Sequence, residues 1–246
     1  MLPNMQTKPP FDFIDLMNIV NGHRFHPVYQ PIVLFPQSIV VGYEALTRFD
    51  DDVSPLEAFH SLSPEETSPL ELAAFHAALE GAVDLLLPGQ FLALNLSGYT
   101  IINCSQEIQA ATLALQRQIV IELTEPITPI DYQKLNEALQ NLRTGIDVAI
   151  DDLGSAQVTL HDLIKVRPHY VKLDLSMVSG VHKDDYLTSL ISGLAEFAHK
   201  TRCELIAEGV ESEMDRDKLI SVGVNLQQGY LLGYPETADK VRRYLD

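Results

Sequence analysis

Basic residues are scarce in this 246-residue chain: 17 Lys and Arg stand against 34 Asp and Glu, a formal net charge of −17. A surface of that sign repels duplex nucleic acid and anionic lipid, so no nucleic-acid polymer and no membrane is an expected partner. Cysteine is scarcer still. Cys104 and Cys203 are the whole complement, too few and too far apart for a disulfide framework or a zinc spacing. Two reduced thiols in a reducing compartment are the expectation. Long apolar runs are missing too, and none approaches the roughly 18 residues of a membrane span. The segment Met1 to Arg24 carries Pro3, Asn4, Lys8, Asp12 and Asp15, which breaks any secretory-signal core. A soluble, cytoplasmic protein is expected. Low-complexity tracts and internal repeats are absent as well.

What is present is globular: 46% hydrophobic and 21% charged residues, in a length that buries a sizeable core. Residues 1–20, opening with Pro3, Pro9 and Pro10, read as an N-terminal arm, and 21–246 as one domain. Short Val-, Ile- and Leu-rich runs bounded by turn formers recur at 26–35, 39–49, 91–97, 119–125, 147–153, 170–176, 203–210 and 225–233. Their length and β-branched content favour strands. Between them, 131–143 and 184–200 space apolar residues as helices do, with Asp131 and Asp184 as caps. Ser-Pro pairs at Ser54-Pro55 and Ser68-Pro69 predict a short helix from Pro55 and a longer one from Pro69 through Leu87. Strand–helix alternation at this length predicts an α/β fold, an irregular (β/α)8 TIM-type barrel. Only Pro36, Gln37 and Ser38 separate the first two runs. That is too short for a crossover, so the barrel is expected to start with an antiparallel strand.

A polar residue sits at or near the end of run after run: Glu44, Asn95, Glu122, Asp151 with Asp152, Lys172, Glu208 and Gln228. Taken singly, each reads as a helix cap or a snorkelling side chain. Taken together they converge, because the carboxyl ends of the strands of a parallel barrel share one face. Five carboxylates in one cleft repel one another unless cations intervene, and hard divalent ions with oxygen ligands suit the set, Asn95 adding a neutral oxygen. Adjacent residues on a regular strand point opposite ways. Asp151 and Asp152 therefore share a site only if the chain leaves the strand there, and Gly154 is consistent with such a turn. Two ions would activate water for phosphoryl transfer, with Lys172 orienting that water or neutralising developing charge.

These residues resemble the EAL domain family, cyclic di-GMP phosphodiesterases on an irregular (β/α)8 barrel. The resemblance rests on Gln30-Pro31-Ile32-Val33, Glu44-Ala45-Leu46 with Arg48, Asn95-Leu96-Ser97, Glu122-Leu123-Thr124-Glu125, Asp151-Asp152, Lys172-Leu173-Asp174, Glu208-Gly209-Val210-Glu211 and Gln228-Gly229-Tyr230. It spans roughly Phe25 to Pro235. It implies a hydrolase that opens cyclic di-GMP to linear pGpG with two Mg²⁺ or Mn²⁺ ions. Glu44, Asn95, Glu122, Asp151, Asp152 and Glu208 would form the metal site, with Lys172 assisting the water and Glu208 in a base-like role. Gln30, Arg48 and Gln228 would contact substrate, and Glu125 would anchor the loop after Asp152. A homodimer, with a regulatory protein partner, is implied in the same way. The loop departs from the family pattern at Leu153, Ala156 and Gln157, where Phe, Gly and Tyr are usual. Ala156 is a concern if that position requires positive φ. A non-catalytic receptor or interaction domain is therefore the alternative, and another phosphodiester substrate a third. The eight histidines show no ligand pattern, and Tyr29 and Tyr43 read as core residues or as stacking partners for guanine.

Overall fold

A computed structural model describes residues 13–50, 53–60, 63–124, 131–142, 145–156 and 158–243. The proline-rich stretch 1–10, Glu125 and Gln157 lie outside the described residues.

Eight strands close in sequence order: β1 (Phe25–Leu34), β2 (Ile39–Phe49), β3 (Phe91–Leu96), β4 (Gln118–Leu123), β5 (Ile146–Leu153), β6 (Tyr170–Leu173), β7 (Glu204–Ala207) and β8 (Leu226–Gln227). β1 runs antiparallel to both β2 and β8, and every other pair is parallel. The expected barrel and its reversed first strand are both present. Among the described residues the helices are α1 (Phe13–Asn21), α2 (Pro55–His60), α3 (Pro64–Ala82), α4 (Gly98–Leu115), α5 (Tyr132–Leu142), α6 (Leu160–Val166), α7 (Leu175–Val178), α8 (Asp185–Thr201), α9 (Glu213–Ser221) and α10 (Ala238–Arg243). None is long and apolar enough to cross a membrane.

The caps explain the boundaries. Asp131 Oδ1 accepts from the amides of Gln133 and Lys134, and Asp184 Oδ1 from that of Leu187, so both expected helices start where their carboxylates permit. The helix expected from Pro69 begins one Ser-Pro pair earlier. Ser63 Oγ accepts from Glu66 N, Glu66 Oε2 accepts from Ser63 N, and Pro64 takes the first turn. Ser68 is then inside α3, where its hydroxyl accepts from Thr100 Oγ1 at 2.9 Å instead of capping anything. The helix ends at Ala82, not Leu87. Residues 13–20, grouped with the arm in sequence, form most of α1. Leu16 and Ile19 are buried there against Phe49, Ala58 and Leu70.

Strand residues alternate between two cores. Outward, Leu92, Leu94, Ile119, Ile121, Val148 and Ile150 pack against the helices. Tyr29 and Tyr43 belong to this outer core, fully buried, and the Tyr29 hydroxyl donates to Ala78 O at 2.9 Å. Neither is available to a ligand. Inward, Ile32, Phe91, Ala93, Val120, Ala149, Ile206 and Leu226 fill the barrel floor. Phe91 lies across Gly42 so closely that a Cβ there would sit 2.7 Å from its ring.

Candidate functional site

Two residues along each strand from that apolar floor, toward the carboxyl ends, the interior turns polar. Ala93 gives way to Asn95, Val120 to Glu122, Ala149 to Asp151, Tyr170 to Lys172, and Gly42 to Glu44. The same two-residue step carries Ile206 to Glu208 and Leu226 to Gln228. Reversed β1 contributes Gln30, two residues before Ile32 and paired with Glu44. The period of two thus delivers one polar side chain from each strand to the mouth of the barrel.

Lys172 is the hub. Its Nζ lies 2.6 Å from Glu208 Oε1, 2.8 Å from Glu122 Oε2, 3.2 Å from Asp151 Oδ1 and 3.3 Å from Glu44 Oε2, and the side chain is 1% exposed. Burial alone would favour loss of its proton, but the surrounding carboxylates, Asp151 foremost, hold its pKa well above the usual lysine value. Burial likewise pushes Glu122 well up, with the charge of Glu44 adding to the shift. Glu208 is raised by burial and by Asp151 and Glu44 against the pull of Lys172. Glu44 differs. Burial raises it, but Lys172 and hydrogen bonds from Asn95 and Gln228 outweigh that, and its pKa falls below the usual range.

The neutral amides are committed by these bonds. Asn95 Nδ2 donates to Glu44 Oε1 at 2.9 Å, so its carbonyl oxygen is the atom left for a ligand. Gln228 Nε2 donates to Glu44 Oε2 at 2.6 Å and to Gln30 Oε1 at 3.0 Å, and Gln30 Nε2 donates to Gly233 O at 3.0 Å. A Cβ on Gly229 would meet the Val210 amide nitrogen at 2.2 Å, which presses this loop onto the strand-end segment carrying Glu208.

The adjacent aspartates share the site through a bulge. Ile150 pairs with Val171 and Leu153 with Leu173, so Asp151 and Asp152 together oppose Lys172 alone. Asp152 takes φ 54° and Gly154 φ 115°, turning the chain out of the strand as two inward carboxylates require. Among the described residues Ala156 does not have positive φ, so the strain expected there falls on Asp152 instead.

Oxygens of Asp151, Asp152 and Glu208 lie within 4.8 Å of one another. Fully ionised, five carboxylates against one ammonium would leave four surplus negative charges in the mouth. The raised pKa values of Glu122 and Glu208 reflect burial and this excess, which two divalent cations would offset. Among the described residues, Glu122 Oε1 and Gln228 Oε1 are buried with no hydrogen-bond partner. An acceptor in that state costs roughly 1–3 kcal/mol unless something binds it. The donor set is all oxygen, which fits a hard divalent ion.

Sequence reasoning named Arg48 and Asn95 but missed Glu71 and Thr124 in the wall beside this cluster. A cavity of about 260 Å³ is lined by Arg48, Glu71, Asn95 and Thr124 among apolar residues that include Leu46 and Phe59. Arg48 donates to Thr47 O at 2.9 Å, and Glu71 Oε2 accepts from the amide and hydroxyl of Ser97 at 3.2 and 2.8 Å. Glu71 is mid-helix in α3, where an acid ordinarily signals nothing more than a solvated face.

The family profile of the EAL domain matches residues 15–235. The chain belongs to the EAL domain family. Cyclic di-GMP phosphodiesterase PdeL of Escherichia coli (strain K12) is 26% identical over 240 residues, covering 90% of this chain and 65% of that protein. Probable cyclic di-GMP phosphodiesterase PdeN of the same strain is 27% identical over 248 residues, covering 94% and 47%. The chain thus spans less than two thirds of these relatives. In structure, the EAL domain resembles Klebsiella pneumoniae BlrP1 in its manganese and cyclic di-GMP complex at pH 9.0. That match has a TM-score of 0.79 at 28% identity, over 88% of this chain and 57% of that one. The EAL enzyme Bd1971 in its cGMP-bound form gives 0.83 at 22% identity, over 95% and 67%, a likeness of fold.

Proposed function

We propose that this EAL domain hydrolyses one phosphodiester bond of cyclic di-GMP to give linear pGpG, using Mg²⁺ or Mn²⁺. The observation that carries the reading is the closed set of strand-end oxygens around Lys172, with Glu122 Oε1 still unpartnered. Glu44, Asn95, Glu122, Asp151, Asp152 and Glu208 would hold two ions. Such ions, when bound, lower the pKa of water and stabilise the oxygens of an in-line displacement. The step adds water's oxygen to phosphorus and breaks the bond to one ribose 3′-oxygen, which leaves as a hydroxyl beside a 5′-phosphate.

Lys172 acts as a fixed cation. Enclosed by four carboxylates, it orients the attacking water and offsets charge but does not serve as the base. Glu208, the most exposed of the four carboxylates on Lys172 and placed at the mouth, is the group suited to take and return a proton. Arg48 binds phosphate, and Gln30 and Gln228 position the ligand through the amide chain that ends on Glu44. The cavity between Arg48 and Glu71 takes one base, with Glu71 Oε1 open to one N–H of guanine while Oε2 is held by Ser97. The anionic ligand approaches well only when divalent ions have reversed the sign of the mouth.

A second reading has one observation in its favour. The blue light- and temperature-regulated antirepressor BluF of Escherichia coli (strain K12) is 25% identical over 229 residues, covering 89% of this chain and 56% of that protein. A receptor or interaction domain on the same fold would bind the dinucleotide, or a protein, without turnover. Purified protein incubated with cyclic di-GMP and Mn²⁺, with products separated by chromatography, decides between them. Release of pGpG that disappears in Glu44→Ala supports the enzyme. Tight binding without product under Mg²⁺ and Mn²⁺ supports the receptor.

A further inference from the structure

Among the described residues, the buried charged side chains are Glu44, Glu122, Lys172 and Asp215. Three meet in the barrel mouth. Asp215, 7% exposed, does not, and the proposed chemistry gives it no part. A carboxylate out of water is costly unless its acceptors are filled, and here they are filled across two loops. Oδ1 accepts from His182 Nδ1 at 2.6 Å and from the His182 amide at 3.2 Å, while Oδ2 accepts from Ser212 Oγ at 2.7 Å. These bonds outweigh burial and bring its pKa down to about 2.

His182 lies on the connection from β6, the strand of Lys172, to α8. Asp215 lies in the first turn of α9, directly after the segment that carries Glu208 out of β7. The two loops also interlock nearer the mouth. Gly209 takes φ 64°, and a Cβ there would fall 2.4 Å from Leu175 Cδ1, while Glu208 N donates to Leu173 O at 3.1 Å. The clamp and the Gly209–Leu175 contact thus brace one short stretch of chain at both ends. Directly before that stretch, on its barrel side, Lys172 Nζ and Glu208 Oε1 stand 2.6 Å apart.

We infer that Asp215 is a positioning residue: by holding His182 it locks the segments that follow Lys172 and Glu208 into one unit, and so sets the affinity of the mouth for divalent metal. The inference rests on the metal-site reading proposed above. It assigns the affinity to the cross-link between loops, not to the capping of α9, which Ser212 performs by accepting from the Asp215 amide at 3.1 Å.

Calorimetric titration of Mn²⁺ into the intact protein, without nucleotide, separates these roles. Asp215→Ala and His182→Ala should each weaken Mn²⁺ binding at least fivefold, and Ser212→Ala should leave it within twofold of the parent. Thermal melts of the metal-free proteins report the structural part. If all three variants lose melting temperature while Mn²⁺ affinity holds, Asp215 is a fold-stabilising clamp and the inference is overturned. Should Asp215→Ala fail to fold, His182→Ala, at a side chain 15% exposed, carries the decision with the same fivefold criterion. Absence of Mn²⁺ binding in the parent protein overturns the metal-site reading itself, and the positioning role with it, which is distinct from equal binding in parent and variants.

Discussion

Two rings of side chains line the inside of this barrel two residues apart on the same strands, and they follow opposite physics. The lower ring, with Ala93, Val120, Ala149 and Ile206, is apolar and tightly packed around Phe91. The upper ring, with Asn95, Glu122, Asp151, Lys172 and Glu208, concentrates charge that an isolated group could not sustain at that depth. Backbone, strands and burial are shared; what differs is whether a counter-charge stands at that level. Lys172 supplies it above, and nothing among the described residues supplies it below.

The largest effect comes from erasing that difference. Val120→Asp places a carboxylate in the floor with no cation in reach, and a cost of about 5 kcal/mol or more should leave no soluble folded protein on expression. Lys172→Met tests the upper ring. Turnover of cyclic di-GMP should vanish, and metal-free protein should lose roughly 3–5 kcal/mol, the cost of breaking a buried pair. Mn²⁺ should then raise the melting temperature of the variant more than that of the parent. An unchanged melt in metal-free Lys172→Met would mean that the carboxylates do not need the ammonium.

Asp215 gives a smaller effect outside both rings. Its pKa falls from 3.8 to about 2 on folding, so its stabilisation is fully present above pH 3.8 and is lost as pH drops toward 2. Urea melts over that window should slope less in Asp215→Ala than in the parent. The smallest change is Ile206→Val in the floor. It should cost about 1 kcal/mol and leave turnover within twofold, because no charged group is touched.

Much of this contrast was legible in the sequence. Alternation within each run marks an inward face, and a carboxylate on that face near the carboxyl end is conspicuous because strands so seldom carry one. The need for Asp151 and Asp152 to leave the ladder also followed from the two-residue period, and the bulge opposite Lys172 meets it. Other features depend on distances that no local pattern encodes. The start of α3 could not be told from local pattern, because both Ser63 and Ser68 have a glutamate three residues on; Glu66 closes the cap on Ser63, while Glu71 is taken by Ser97. Glu71 and the His182–Asp215 clamp join elements far apart in sequence through groups that are unremarkable alone. The turn anticipated at Gly154 is there, at φ 115°, and the condition attached to Ala156 is not met; the left-handed residue that no pattern announced is Asp152, in the bulge itself.

The reversed first strand has a mechanical corollary. In an all-parallel barrel the chain enters from below, and anything attached ahead of it is kept from the reacting end by the height of the sheet. Here β1 begins at Phe25, opposite Phe49 at the upper end of β2. Helix α1 therefore docks beside the rim, its Leu16 and Ile19 against Phe49 and Ala58. From there the strand descends past His26, paired with Arg48, to Gln30, paired with Glu44. Helix α1 is thus joined, through a few residues of one strand, to the same end of the barrel as Gln30 and Arg48.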